Sequence, residues 1–83
     1  MFLTEVKNGA NTVVGAKQTL KAIINGRAKI IALADDAADK IKKPVENACA
    51  EHDVPCEHIA TMAELGKVCG IKVGAATAVI LKS

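Results

Sequence analysis

Aromatic residues are almost missing from this chain of 83 residues: there is no Trp, no Tyr and one Phe, Phe2. That argues against RNA binding on a platform of stacked rings, the device of sheet- and barrel-based binders. Any contact with RNA must use polar side chains, backbone amides, phosphate pairing and aliphatic packing. The three cysteines, Cys49, Cys56 and Cys69, are odd in number and form no CxxC. Nothing there suggests a disulfide framework, which fits a reducing compartment. No apolar run approaches the roughly 18 residues of a membrane span, and no signal pattern opens the chain. A soluble, cytoplasmic protein without a membrane partner is expected. Neither GxGxxG nor GxxxxGK[ST] occurs, so there is no nucleotide fingerprint. A strong charge bias is also lacking. The net charge of +2 is too small for indiscriminate coating of nucleic acid, DNA included, but allows a local basic face.

What is present is ordinary for a globular domain: 51% apolar and 24% charged residues, which argues against disorder. A chain this long buries about 60–65% of its unfolded surface, enough for one core. One domain over residues 1–83 is expected. Its patterns alternate. Residues 2–9 suit a short helix, and the β-branched Thr12-Val13-Val14 a strand. From Gly15 a helical pattern runs to Asn25, with Leu20, Ile23 and Ile24 on one face and Lys17, Gln18 and Lys21 on another. Asn25-Gly26 stops it. The apolar run at 29–34 suits a buried strand. Asp35 and Asp36 offer N-cap oxygens to a helical region at 37–53, whose main helix should start near Pro44. A strand follows at 56–60. Thr61 and Glu64 fit a capping box for a helix that ends at Gly70, and residues 77–82 form a last strand. This order predicts an α/β fold, a three-layer α/β/α sandwich with a mixed four-stranded sheet.

Enzymatic readings are thin. Cys49 with His52, and Cys56 with His58, could be imagined as metal ligands or as a nucleophile pair. The spacing is irregular for zinc and no third group orients a nucleophile, so small buried thiols are the simpler account. No enzyme, metal or cofactor is expected. Two other segments carry more. Gly15 opens a helix whose N-terminal amides and dipole favour an anion, with Lys17 and Lys21 one turn apart and Gln18 able to donate and accept. An ordinary solvated face is the alternative. Residues 71–76 follow the last helix as a loop, yet are mostly apolar. Such a loop either completes the core or is held out for a partner. Should both junctions lie at one end of the sheet, Lys17, Gln18, Lys21, Lys67 and Lys72 would share a surface with a small aliphatic patch. That surface would suit a folded RNA with a flipped-out nucleotide.

The segments GAKQTLKAI, ALADDA and ELGKVCGIKVGAATAVI, in this order and spacing, resemble the ribosomal-protein family that binds RNA kink-turns. The resemblance runs from about Thr12 to Leu81 and is closest to the family's small bacterial paralogues. It implies an α/β/α sandwich, no enzymatic activity, and recognition of a sharp bend in duplex RNA containing tandem sheared G·A pairs. It implies RNA contacts at Gly15, Lys17, Gln18, Lys21, Asp36, Lys67, Ile71, Lys72, Val73, Gly74 and Ala75. Gly15 and Lys21 match the archaeal Gly-Thr-Asn-Glu run and its following Lys, whereas Ala16, Lys17 and Gln18 replace Thr, Asn and Glu. Val14 stands where the family often has a basic residue. The implied partner is a structured RNA, ribosomal or riboswitch-like, with the ribosome as a further candidate and the protein a monomer. A regulatory protein–protein module on the same fold is the alternative, with the apolar loop meeting a protein.

Overall fold

In the computed structural model, which describes residues 2–82, helices and strands alternate along the chain. They are α1 (Phe2–Lys7), β1 (Thr12–Val14), α2 (Ala16–Ile24), β2 (Ala28–Ala34), α3 (Asp39–Glu51), β3 (Cys56–Ile59), α4 (Met62–Val68) and β4 (Thr77–Leu81). The four strands form one sheet in the order β1-β4-β2-β3. β4 runs antiparallel to both β1 and β2, while β3 runs parallel to β2. The sheet is therefore mixed. Strands β1, β2 and β3 point the same way, and their carboxyl ends meet the start of β4 at one end.

Alternation along the central strands builds two cores. Ile30, Ala32 and Ala34 of β2 and Ala78 and Ile80 of β4 face one way, with Phe2 of α1 and Leu65 of α4. Ile31, Leu33 and Val79 face the other, with Ala22 and Ile23 of α2 and Val45 and Cys49 of α3. Helices thus cover both faces, giving the three layers. Each large aliphatic side chain buried this way contributes roughly 1.5–3 kcal/mol. Ala28 would share a face with Ile30 by parity, yet it packs with the opposite core. A shift in the β2–β4 register between Ala28 and Ile30 accounts for this, since an extra residue in one strand reverses the faces beyond it. Lys29 sits at that irregularity, exposed, and pairs with Glu5 at 3.0 Å.

Two expectations for α3 are corrected. Pro44 lies inside one continuous helix instead of starting it. A proline there removes one helical donor and frees a carbonyl one turn earlier. Lys40 and Pro44 are both exposed, so that loss falls on the solvent side, where water replaces the bond. Nor does an Asp cap this helix: the N-cap is Ala38, which has no side-chain cap bond. Asp35 and Asp36 are used across the chain instead, as described below. In α2, Ile24 leaves the apolar face expected of it and is 65% exposed, while Thr19 is buried beside Ala22 and Ile23. Asn25 and Gly26 end α2, with Gly26 at φ 70°.

Candidate nucleic-acid interface

The two junctions that carry the sequence signal lie together. Val14 pairs with Ala78, and the Gly15 amide donates to the Thr77 carbonyl at 3.0 Å. β4 lies between β1 and β2, so the start of α2 borders the segment that leads out of the loop at 71–76. Ala76 reaches the other way, its carbonyl accepting from the Ala34 amide at 2.9 Å. Ligands of open α/β sheets bind at the carboxyl ends of strands for this kind of reason: several loops converge there.

Gly15 has φ 121° and ψ 145°, a backbone region open in practice only to glycine. A Cβ there would meet nothing within 4 Å, so the requirement is conformational and the space before the helix is open. Gly15 supplies no side-chain cap, and the first turn of α2 holds no acidic residue. The helix therefore presents uncompensated N–H groups and its positive dipole end. Lys17, Gln18 and Lys21 are exposed beside it. Gln18 and Lys21 also line a groove of about 210 Å³ that continues to Asn25 and Arg27, neither of which the sequence marked as a site residue. Among the described residues, no carboxylate pairs with Lys17, Lys21, Lys67 or Lys72.

The apolar loop is held out. Val73 is 71% exposed and Ile71 37%. Its ends are fixed to α4: the Ile71 amide donates to the Gly66 carbonyl at 3.0 Å, and the Ala75 amide to the Met62 carbonyl at 3.0 Å. Ala75 itself is only 3% exposed and anchors the loop in the core. Gly74 lies against Met62, where a Cβ would come within 3.2 Å of the Met62 Cβ. Gly66 lies under the Val73 carbonyl: any Cβ at 66 would overlap that oxygen. The loop therefore rides directly on the backbone of α4. Met62, partly exposed next to Gly74, adds a third apolar side chain to the patch.

Asp36 holds the start of α4. Its Oδ1 accepts the Met62 N–H at 2.7 Å, while Thr61 Oγ1 accepts the Glu64 N–H at 3.1 Å, the capping interaction expected of Thr61. Asp36 thus acts through Met62 on the loop that Met62 supports. Asp36→Ala is expected to lower stability by about 1 kcal/mol. In a domain of this size that is a fall of roughly 4–8 °C in thermal midpoint, readable by circular dichroism. An unchanged midpoint would remove Asp36 as a support. Asp35 bonds His58 Nδ1 through Oδ1 at 2.8 Å, and its carbonyl accepts from Lys42 Nζ at 2.9 Å.

The described chain matches a family across almost all of its length. Residues 2–83 fit the ribosomal protein L7Ae/L30e/S12e/Gadd45 family. The chain belongs to that family. Among similar L7Ae-family proteins, an RNA-binding protein of Caldanaerobacter subterraneus subsp. tengcongensis is 50% identical over 66 residues, 80% of each chain. One from Geobacillus sp. is 39% identical over 82 residues, 99% of this chain and 100% of its own. The solved structure of a 15.5 kD RNA-binding protein of Giardia lamblia superposes with a TM-score of 0.78 at 29% identity, covering 98% of this chain and 68% of that one. The L7Ae-type fold is therefore the one observed; of the sequence-derived site residues, Ala75 is buried in the core, and Asp36, though exposed, is bonded to the Met62 N–H. Among the described residues no group of three or more His, Cys, Asp or Glu could hold a metal ion, and no helix is long and apolar enough to cross a membrane.

Proposed function

We propose that this L7Ae-family protein is a non-enzymatic RNA binder that recognises kink-turn RNA and stabilises its bent form. The observation that carries the reading is the meeting, at one end of the sheet, of the uncapped α2 N-terminus with an exposed apolar loop. That its relatives from Caldanaerobacter and Geobacillus are RNA-binding proteins supports RNA as the ligand. In this reading Lys17, Lys21 and Lys67 neutralise phosphates, and Gln18 faces the edges of the G·A pairs. Gln18 is neutral and can donate as well as accept, so it reads those edges differently from a carboxylate. Ile71 and Val73 pack on an unstacked base, the role that rings fill elsewhere. Binding only the bent form shifts the RNA's own equilibrium toward it.

A gel-shift comparison tests the reading: a standard kink-turn against the same RNA with its G·A pairs changed to Watson–Crick pairs. Much weaker binding of the second RNA is expected, and equal affinity for both would sink the specific claim. Salt adds a second check. With about three phosphates neutralised, affinity should fall with salt at a log–log slope of about −2 to −3. Ile71→Ser with Val73→Ser should lower affinity roughly tenfold while leaving that slope alone, because the loss is apolar. A slope that flattens in this variant would mean that the loop acts through charge.

A further inference from the structure

The groove beside α2 leads away from the kink-facing end of the sheet, and Arg27 lies at its far end. Gln18, Lys21 and Asn25 recur at helical spacing and line it from one face of the helix. Val13 of β1, Ala22 of α2 and Leu81 of β4 supply its aliphatic part, and all three belong to the α2/α3 core. Arg27 precedes β2, so it sits at the opposite end of the sheet from Gly15. Its amide donates to the Ala22 carbonyl at 2.9 Å, and its carbonyl accepts from the Lys82 amide at 2.8 Å. The backbone of Arg27 is thus tied to α2 on one side and to the end of β4 on the other. Its side chain is exposed and makes no bond or ion pair within the described residues. No acidic residue lines the groove, and α2 contains none.

We propose that this groove holds the sugar–phosphate backbone of the RNA stem that runs out of the kink, with Arg27 paired to a phosphate. The proposal rests on the kink-turn reading and adds to it a contact at the far end of α2.

Three observations choose this occupant. The first is continuity: Gln18 and Lys21 belong both to the kink-facing surface and to the groove, so an RNA seated on them meets the groove without a gap. The second is charge. Lys21 and Arg27 supply two cations with no carboxylate between them, and the amides of Gln18 and Asn25 add neutral donors. The planar guanidinium of Arg27 matches a phosphate with two parallel donors, and its tied backbone limits the entropy lost on pairing. The third is length. From Gln18 to Asn25 the helix rises about 10 Å. At the duplex-DNA spacing of roughly 3.4 Å per charge on each strand, that length faces about three phosphates. A stem of A-form RNA offers a protein its backbone more readily than its base edges, so the groove fixes register and orientation while the kink-facing residues read the bases.

The experiment compares the full chain with Arg27→Gln on a kink-turn RNA whose stems extend a helical turn beyond the kink. Hydroxyl-radical footprinting should show the full chain protecting a stretch of stem backbone outside the kink, and Arg27→Gln losing that stretch while keeping protection at the kink. Affinity should fall roughly tenfold, and the log–log salt slope should become shallower by about one unit. Arg27→Lys keeps the charge and should restore the slope. Lys29→Gln removes the same charge close by but outside the groove, where Lys29 pairs with Glu5, and should change neither footprint nor slope. Full stem protection with an unchanged slope in Arg27→Gln, or an equal slope change in Lys29→Gln, would overturn the proposal. The RNA with its G·A pairs replaced separates this result from the reading beneath it. Should that RNA bind as tightly as the kink-turn while Arg27→Gln loses stem protection on both, the kink claim falls and the groove stands. Should the kink-turn be preferred while Arg27→Gln changes nothing, the groove alone falls.

Discussion

Gly66→Ala is expected to unfold more easily and to bind RNA at least tenfold more weakly. Two effects oppose each other at this position. Alanine is the better helix former, by about 1 kcal/mol in a helix interior. Were propensity decisive, the variant would be more stable. The new Cβ, however, overlaps the carbonyl oxygen of Val73, which is backbone and cannot rotate away. Overpacking of this kind costs typically about 1–3 kcal/mol, and relief requires lifting the loop. Lifting it strains or breaks the bonds from Ile71 to Gly66 and from Ala75 to Met62, and moves Val73 off its position. Sterics should therefore win. Thermal melting and a gel shift on the same sample check both parts. A higher melting temperature with unchanged RNA affinity would show that the loop does not depend on its seat on α4.

Gln18→Ala combined with Lys21→Ala is expected to weaken kink-turn binding by a factor of roughly 100 or more and to leave the fold intact. Both side chains are exposed on α2 and make no bond within the described chain. Surface changes of this type usually alter stability by about 0.5 kcal/mol or less. Against RNA, a charge-assisted hydrogen bond is worth about 1.5–3 kcal/mol. Loss of that bond and of the base-edge contact removes about 3–4 kcal/mol, which sets the factor. The salt slope should also fall by about one unit, because one phosphate partner is gone. Retained binding would shift the reading toward the loop as a protein-docking surface.

Much of this fold was legible in local pattern. The β-branched 12–14 run, the Asn25-Gly26 stop and the Thr61 cap all act within a few residues, and each appears where the pattern put it. What local pattern could not supply was the order of strands. The neighbourhood of Gly15 and Thr77 exists because β4 inserts antiparallel between β1 and β2, a pairing set by the whole sheet. Asp36 shows the same limit. Its sequence position points to α3, the next helix, whereas the chain returns to place the α4 start against it. Gly66 did carry a signal that composition alone left unread. A lone glycine within a helix costs stability unless something must come close, and here the Val73 carbonyl does.

The two layers of the sandwich are unequal, and that inequality bears on motion. On the α2/α3 side, Ile23, Val45, Ile31, Leu33 and Val79 interlock. On the other side five alanines line the core, and α4 sinks one large side chain, Leu65. Regions with less apolar contact open at lower free energy than the global unfolding reaction. Amide hydrogen exchange should therefore find α4 and its loop opening as a unit ahead of the central strands. The amides of Ile71 and Ala75 report that opening directly, and a bound RNA that rests on the loop should slow their exchange.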